Sequence, residues 1–374
     1  MTVAGPESLR ASTPSPLPFG AMPGQQPSHA THTNPPESDA PRPQAATLAE
    51  LLGRTVLLVT GKGGVGKSTV TASLARRAAA SGKRVLLVEL ESVSRVAPLF
   101  GLRKVGPEPT RAAPNLDVMG LDSMDSLRFF ALQQLKVATL VNLAMRNKAV
   151  ESFFQAVPAI KPMLFLYHLW RLETEHGPTG DRRWDLIVCD LPTTGFAVGM
   201  YAIPKTLAQV FRLGPIANYA EGMRQLLADP RRSGVVLVAL PEDMPVVETL
   251  ELHASLRSRF GVEAAAIVLN GVFPELLQPA EADAVAKALN LRGADTDPAH
   301  GDEAPVRDAW LWAARLLVGR RHRALGHLPK LRAAVAGRVL ELPFLFQREL
   351  PLEAVDRLAR ALDSTLPAPG EVPA

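Results

Sequence analysis

The chain has 374 residues, about two and a half ordinary domain lengths, with 47% hydrophobic and 21% charged side chains, enough apolar material for a large core. One cysteine, Cys189, excludes an internal disulfide and any multi-cysteine metal cage, and a formal charge of +4 is too small to demand a nucleic-acid partner. No apolar run reaches the roughly 20 residues that cross a bilayer, and the N-terminus lacks a basic start followed by an apolar stretch, so the expectation is a cytoplasmic protein without an intrinsic membrane anchor.

Residues 1–46 carry ten of the 33 prolines among Ser, Thr, Gly, Gln and Ala. Such a segment buries too little to offset its chain entropy, and a disordered tail is expected. His29 and His32 lie within it, too few to build a stable metal site. From Thr55 onward, short β-branched runs alternate with helical stretches. The expected strands are Thr55–Thr60, Arg84–Glu89, Leu116–Leu121, Asp185–Asp190, Gly234–Leu240, Ala264–Leu269 and Arg338–Leu342. Most are apolar almost throughout, as strands buried on both faces must be. The fold class that follows is α/β, a mainly parallel sheet with helices on both sides. Residues 47–374 then form one domain, with helical insertions at about 123–180 and 200–230. Within Phe129–Met145, 12 of 17 residues are apolar, wider than the stripe of a surface helix. Pro158, Pro162, Pro204 and Pro215 are expected to break these apolar helices. A linker is expected at Arg292–Pro305. The segment Ala309–Leu340 holds seven Arg or Lys and no acid, and reads as a solvated basic face with no strong nucleic-acid signal. In the final helix, Glu353–Leu362, Ala354, Val355, Leu358 and Leu362 form a core stripe.

The most informative stretch is Gly61-Lys62-Gly63-Gly64-Val65-Gly66-Lys67-Ser68, which follows the strand TVLLVT and opens the helix Ser68–Ala80. It matches the phosphate-loop pattern G-x-x-x-x-G-K-[ST]. Glycines let the backbone wrap phosphate oxygens with successive N–H groups, and the helix N-terminus adds its dipole. Lys67 is expected to reach the β- and γ-phosphates of ATP, and the Ser68 hydroxyl to ligate Mg²⁺, with Thr69 beside it.

Lys62, directly after the first glycine, resembles the deviant loop of the MinD, ParA, nitrogenase-iron-protein and arsenite-pump ATPases. In that class the lysine reaches across a dimer interface to the partner's nucleotide. A cation supplied in trans can be worth about 10³ to 10⁵ in rate. The strand WDLIVCD ends in Asp190, the expected anchor behind Mg²⁺. The loop Leu191–Phe196 resembles the second switch of bacterial arsenite-pump-like (ArsA-family) ATPases, as does PEDMPVVETLEL, 241–252. The first switch departs from the family: Glu91 stands where an aspartate usually orients the attacking water. Glu91 serves as a slow base, Glu89 substitutes, or hydrolysis is lost. Asn270, after the strand AAIVL, occupies the family's adenine-reading position, and Pro343-Phe344 fits an apolar wall for the base.

The resemblance implies a nitrogenase-iron-protein-like P-loop fold and a Mg²⁺–ATP-dependent ATPase that works as a homodimer or beside a paralogous ATPase. It lacks the cysteines of arsenite extrusion and of the zinc-bridged targeting factor. The helical insertion, with Met145, Met163, Met200 and Met223, then suggests a hydrophobic protein client. The alternative is an ATP-binding regulatory or scaffold protein with little hydrolysis; a small-molecule kinase is a third reading.

Overall fold

The computed structural model describes residues 43–90, 94–135, 160–178, 180–275 and 304–363, with isolated positions 141, 152, 277, 280, 281, 284 and 287. The chain divides into units 1–40 and 41–374, and the first lies outside the described residues.

Eight strands form one sheet in the order β3-β4-β2-β5-β1-β6-β7-β8. In sequence they are β1 Val56–Gly61, β2 Val85–Glu89, β3 Thr110–Ala113, β4 Leu116–Gly120, β5 Leu186–Asp190, β6 Ser233–Ala239, β7 Ala264–Val272 and β8 Val339–Pro343. All neighbours pair parallel except β3 with β4. All seven expected strands are present, with ends shifted by one to three residues. The unexpected strand is β3, with the sequence TRAA. It lies at the sheet edge and is half exposed, so it carries neither an apolar run nor clean alternation to betray it.

Strand geometry sends successive side chains to opposite faces. In β1, Val56 and Leu58 enter one apolar cluster, and Leu57 and Val59 enter the other. On the first face lie α4 (Ile160–Glu173), α5 (Thr194–Val210), α6 (Pro215–Ala228), α7 (Asp243–Phe260) and the C-terminal part of α8 (Ala304–Ala334). On the second lie α1 (Pro43–Leu52), α2 (Lys67–Ala80) and α9 (Leu352–Ala361), whose expected stripe Ala354, Val355 and Leu358 is buried along with Leu362. Helix α3 (Ser123–Leu135) packs on α4.

Prolines act differently from the expectation. Pro215 opens α6, but Pro162 sits in the first turn of α4 and Pro204 lies inside α5, which runs on to Val210. A first-turn N–H has no intrahelical partner to lose, and one missing bond in a 17-residue helix kinks it without ending it. Most of Phe129–Met145 beyond Leu135, together with Pro158 and the linker up to Glu303, falls outside the described residues. Among the described residues no helix is long and apolar enough to cross a membrane.

Candidate phosphate-binding site

The sheet order places β1 between β5 and β6, while the chain leaving β1 crosses by way of α2 to β2, beyond β5. In open α/β sheets the crevice at such a reversal, beyond the carboxyl ends of the strands, is where ligands bind. The loop from Gly61 to Gly66 occupies that crevice.

Its glycines answer three local demands. Gly61 lies against β6, where a Cβ would stand 2.5 Å from the Val238 carbonyl oxygen. Gly66 takes φ 84° as it enters α2, and its Cβ would meet the Asn270 amide nitrogen at 2.3 Å. Gly63 and Gly64 face open space, with nothing within 4 Å of an added Cβ, which is the clearance a phosphate needs to approach the backbone.

Lys67 is buried and its Nζ donates to the Lys62 carbonyl at 3.1 Å, folding the ammonium across the loop. Ser68 Oγ donates to Asp190 Oδ2 at 2.5 Å. The pairing of β1 with β5, in which Val59 stands opposite Asp190, brings these two together. Thr71, one turn into α2, donates to the Lys67 carbonyl at 2.8 Å and stands 3.5 Å from Asp190 Oδ1. A hydroxyl beside a carboxylate under a helix N-terminus is an oxygen donor set suited to Mg²⁺ and phosphate. Among the described residues no group of three His, Cys, Asp or Glu could hold a metal by protein ligands alone.

Lys62 is exposed, and its Nζ pairs with Glu248 of α7. The other oxygen of Glu248 is buried without a hydrogen-bond partner among the described residues. Asn270 donates from Nδ2 to the Val65 carbonyl at 2.9 Å, bracing the loop from the β7 side. Its carbonyl leaves an acceptor for a base. Pro343 ends β8, and the Phe344 ring that follows stacks on Phe273 at 4.7 Å.

Glu89 is buried at the end of β2, where it accepts from Ser94 Oγ, from the Arg95 N–H at 2.5 Å and from the Val96 N–H at 3.1 Å. Its carboxylate is therefore committed to holding the chain ahead of the short 3₁₀ turn Ala97–Phe100. Glu91 lies outside the described residues. Cys189 is wholly buried, and burial together with the neighbouring Asp190 charge pushes its thiol pKa far up, so it supplies no thiolate.

The second switch joins this site to the helical layer. Thr60 Oγ1 donates to the Thr193 carbonyl at 3.4 Å, and Thr193 is the residue that immediately precedes α5. The same Thr193, with Gly195 and Phe196, lines an apolar cavity of about 620 Å³ between α5 and the first turn of α4. Ile160, Pro162, Met163, Ile203 and Leu207 form its apolar wall, with Lys161 and Thr206 also on the lining. Met200 and Met223 are buried in the core rather than exposed, because their positions face the sheet; Met145 lies outside the described residues.

Sequence reasoning missed Glu248, Thr71 and the capping task of Glu89. Glu248 lies inside the segment 241–252 that was singled out, but only the fold shows that its helix passes the loop. Thr71 sits one turn after Lys67, a spacing that could have pointed to Asp190.

The family model for anion-transporting ATPases matches residues 54–220 and 213–291. A putative ATPase of Mycobacterium bovis is 30% identical over 241 residues, covering 62% of this chain and 69% of that protein. ATPase BagA of Mycobacterium tuberculosis matches to the same extent. An arsenical pump-driving ATPase of Acidiphilium multivorum is 27% identical over 253 residues, 62% of this chain but 42% of its own length. The family match contains every candidate phosphate-site residue named above; Pro343 and Phe344 lie beyond it.

Proposed function

The chain belongs to the anion-transporting ATPase family, and from that premise we propose that it is a slow, Mg²⁺-dependent ATPase whose nucleotide state controls the grip of its helical layer on an apolar protein client. In this reading the N–H groups of the loop around Gly61, Gly63, Gly64, Val65 and Gly66 hold the phosphates. Lys67, Ser68 and Thr69 complete the cradle, and Asn270 and Pro343 border the base. Ser68 and Asp190 would hold Mg²⁺, which when bound neutralises charge on the phosphates. Glu91 orients water, and Lys62 acts on the nucleotide of a second subunit, a copy of this chain or a paralogue. The cytoplasm is the compartment that supplies ATP.

The observation that carries the coupling is the segment Thr193–Phe196, which touches Thr60 at the base of the phosphate loop and walls the apolar cavity on its other side. A phosphate that moves this segment must also reshape the cavity. The absence of a reactive thiol speaks against arsenite as cargo.

The test combines two measurements on the full chain. Phosphate release should be slow but measurable with Mg²⁺–ATP and should vanish in Lys67→Ala together with nucleotide binding. An apolar helical peptide should be held against aggregation in one nucleotide state and released in the other. Tight ATP binding with zero phosphate release would instead establish a non-hydrolysing regulator.

A further inference from the structure

Helix α8 is unlike the other helices in what it leaves uncovered. Its buried stripe is Ala324, Leu328 and Leu331, followed after the helix by Val335, all in its C-terminal part. Ahead of that stripe Trp310 is 73% and Trp312 65% exposed and Leu316 is exposed as well, and Leu325, between the stripe residues, is exposed too. Tryptophan carries one of the largest apolar surfaces of any side chain; at a spacing of two on a helix Trp310 and Trp312 point to different sides, and it is Trp312 that shares a side with the exposed Leu316, a surface open to meet something.

The charges on the same helix are sorted. Arg321 pairs with Glu275 at 3.2 Å, Arg332 pairs with Glu341 at 3.0 Å, and His327 stands 3.8 Å from Asp243. Arg315, Arg320, Arg323 and Lys330 are exposed and have no carboxylate at ion-pair distance among the described residues. Trp312, Leu316, Arg323 and Lys330 fall at steps of four and seven, on one side of the helix. Arg320 lies 5.5 Å over the Phe273 ring, which stacks on Phe344 and meets the edge of Phe346. Phe346 is 57% exposed, so the basic and aromatic surface continues beyond the helix.

We propose that this outer face of α8 docks on an anionic phospholipid surface. Indole rings settle at the headgroup level, aliphatic side chains enter the acyl boundary, and arginine stems lie along the apolar layer with their charges among phosphates. The exposed Leu316, one turn from Trp312, favours lipid over nucleic acid, whose phosphates and bases give an aliphatic chain nothing to bury against. The exposed Arg315, Arg323 and Lys330 supply the complementary charge. The contact is peripheral, needs no spanning helix, and does not rest on the nucleotide reading.

The test is sedimentation of the full chain with vesicles of phosphatidylcholine alone and with vesicles enriched in phosphatidylglycerol. Binding should appear with the anionic vesicles, weaken as salt rises, and shift tryptophan emission to the blue. Trp310→Ser with Trp312→Ser should abolish that shift although Trp170 and Trp184 remain. Arg315→Glu with Arg323→Glu should lower binding on the order of tenfold. Unchanged thermal unfolding and phosphate release would show that both double variants are folded. Failure of the wild type to sediment, equal binding by the variants, equal binding to neutral vesicles, or displacement from the vesicles by an oligonucleotide would each overturn the proposal.

Discussion

Lys62 carries an ammonium that, in the proposed mechanism, belongs on a neighbouring subunit's nucleotide, yet it pairs with Glu248 of its own chain. The pair must open before the lysine can cross. A half-exposed ion pair is worth about 0.2–1 kcal/mol, so Glu248→Gln should raise turnover by up to about fivefold if this opening limits the rate. Steady-state phosphate release decides it; an unchanged or lower rate would mean that Glu248 holds the loop in shape. Gly66 makes a different demand. Its φ of 84° and the Asn270 amide 2.3 Å from its missing Cβ leave alanine no place. Gly66→Ala should cost about 1–3 kcal/mol of stability and abolish nucleotide binding, read by thermal unfolding with and without ATP. Both positions were legible in the sequence as members of the loop, whose residue types are dictated by phosphate chemistry. Glu248 was not, and Asn270, legible as a residue of the nucleotide site, was not legible as a brace of the loop, because the two come from α7 and β7 and spacing along the chain says nothing about which element passes which loop.

At the scale of elements, α3 and α4 make the least ordinary contact. His168 of α4 is buried, stacked on Phe129 of α3 with centroids 3.8 Å apart and planes 1° from parallel, and its Nδ1 has no hydrogen-bond partner among the described residues. Burial lowers its pKa from 6.5 to about 4. The unfolded chain therefore binds a proton that the folded chain refuses between those values, so the group's contribution to stability is fully present above pH 6.5 and fades as pH falls towards 4. The full loss is about 3 kcal/mol by linkage. His168→Phe, which keeps a ring against Phe129, should flatten this slope, so that unfolding temperature drops less between pH 7 and pH 5 than in the wild type. An equal drop would show that other groups govern acid lability. The elements themselves were largely readable: seven strands announce themselves because burial on both faces forces near-continuous apolar runs, whereas β3 and the continuation of α5 through Pro204 depend on tertiary context that overrides local pattern.

For the whole molecule, the decisive question is whether one chain suffices. Met244 and Val247 stand exposed on the first turns of α7, flanking Glu248 and the paired Lys62. A second copy seated on that apolar margin would cover it while drawing Lys62 away. Turnover per chain should then rise with protein concentration, since association precedes the chemical step. A sharper form of the argument uses two inactive chains. Lys67→Ala keeps Lys62 but loses nucleotide, and Lys62→Ala keeps nucleotide but loses the crossing cation. In a random mixture half the pairs combine one of each, and each such pair holds one complete site out of two. Mixing equal amounts should therefore restore about a quarter of wild-type phosphate release. A mixture as inactive as its components, with pairing verified by sedimentation, would place Lys62 in service of its own subunit's nucleotide and remove the second chain from the reaction.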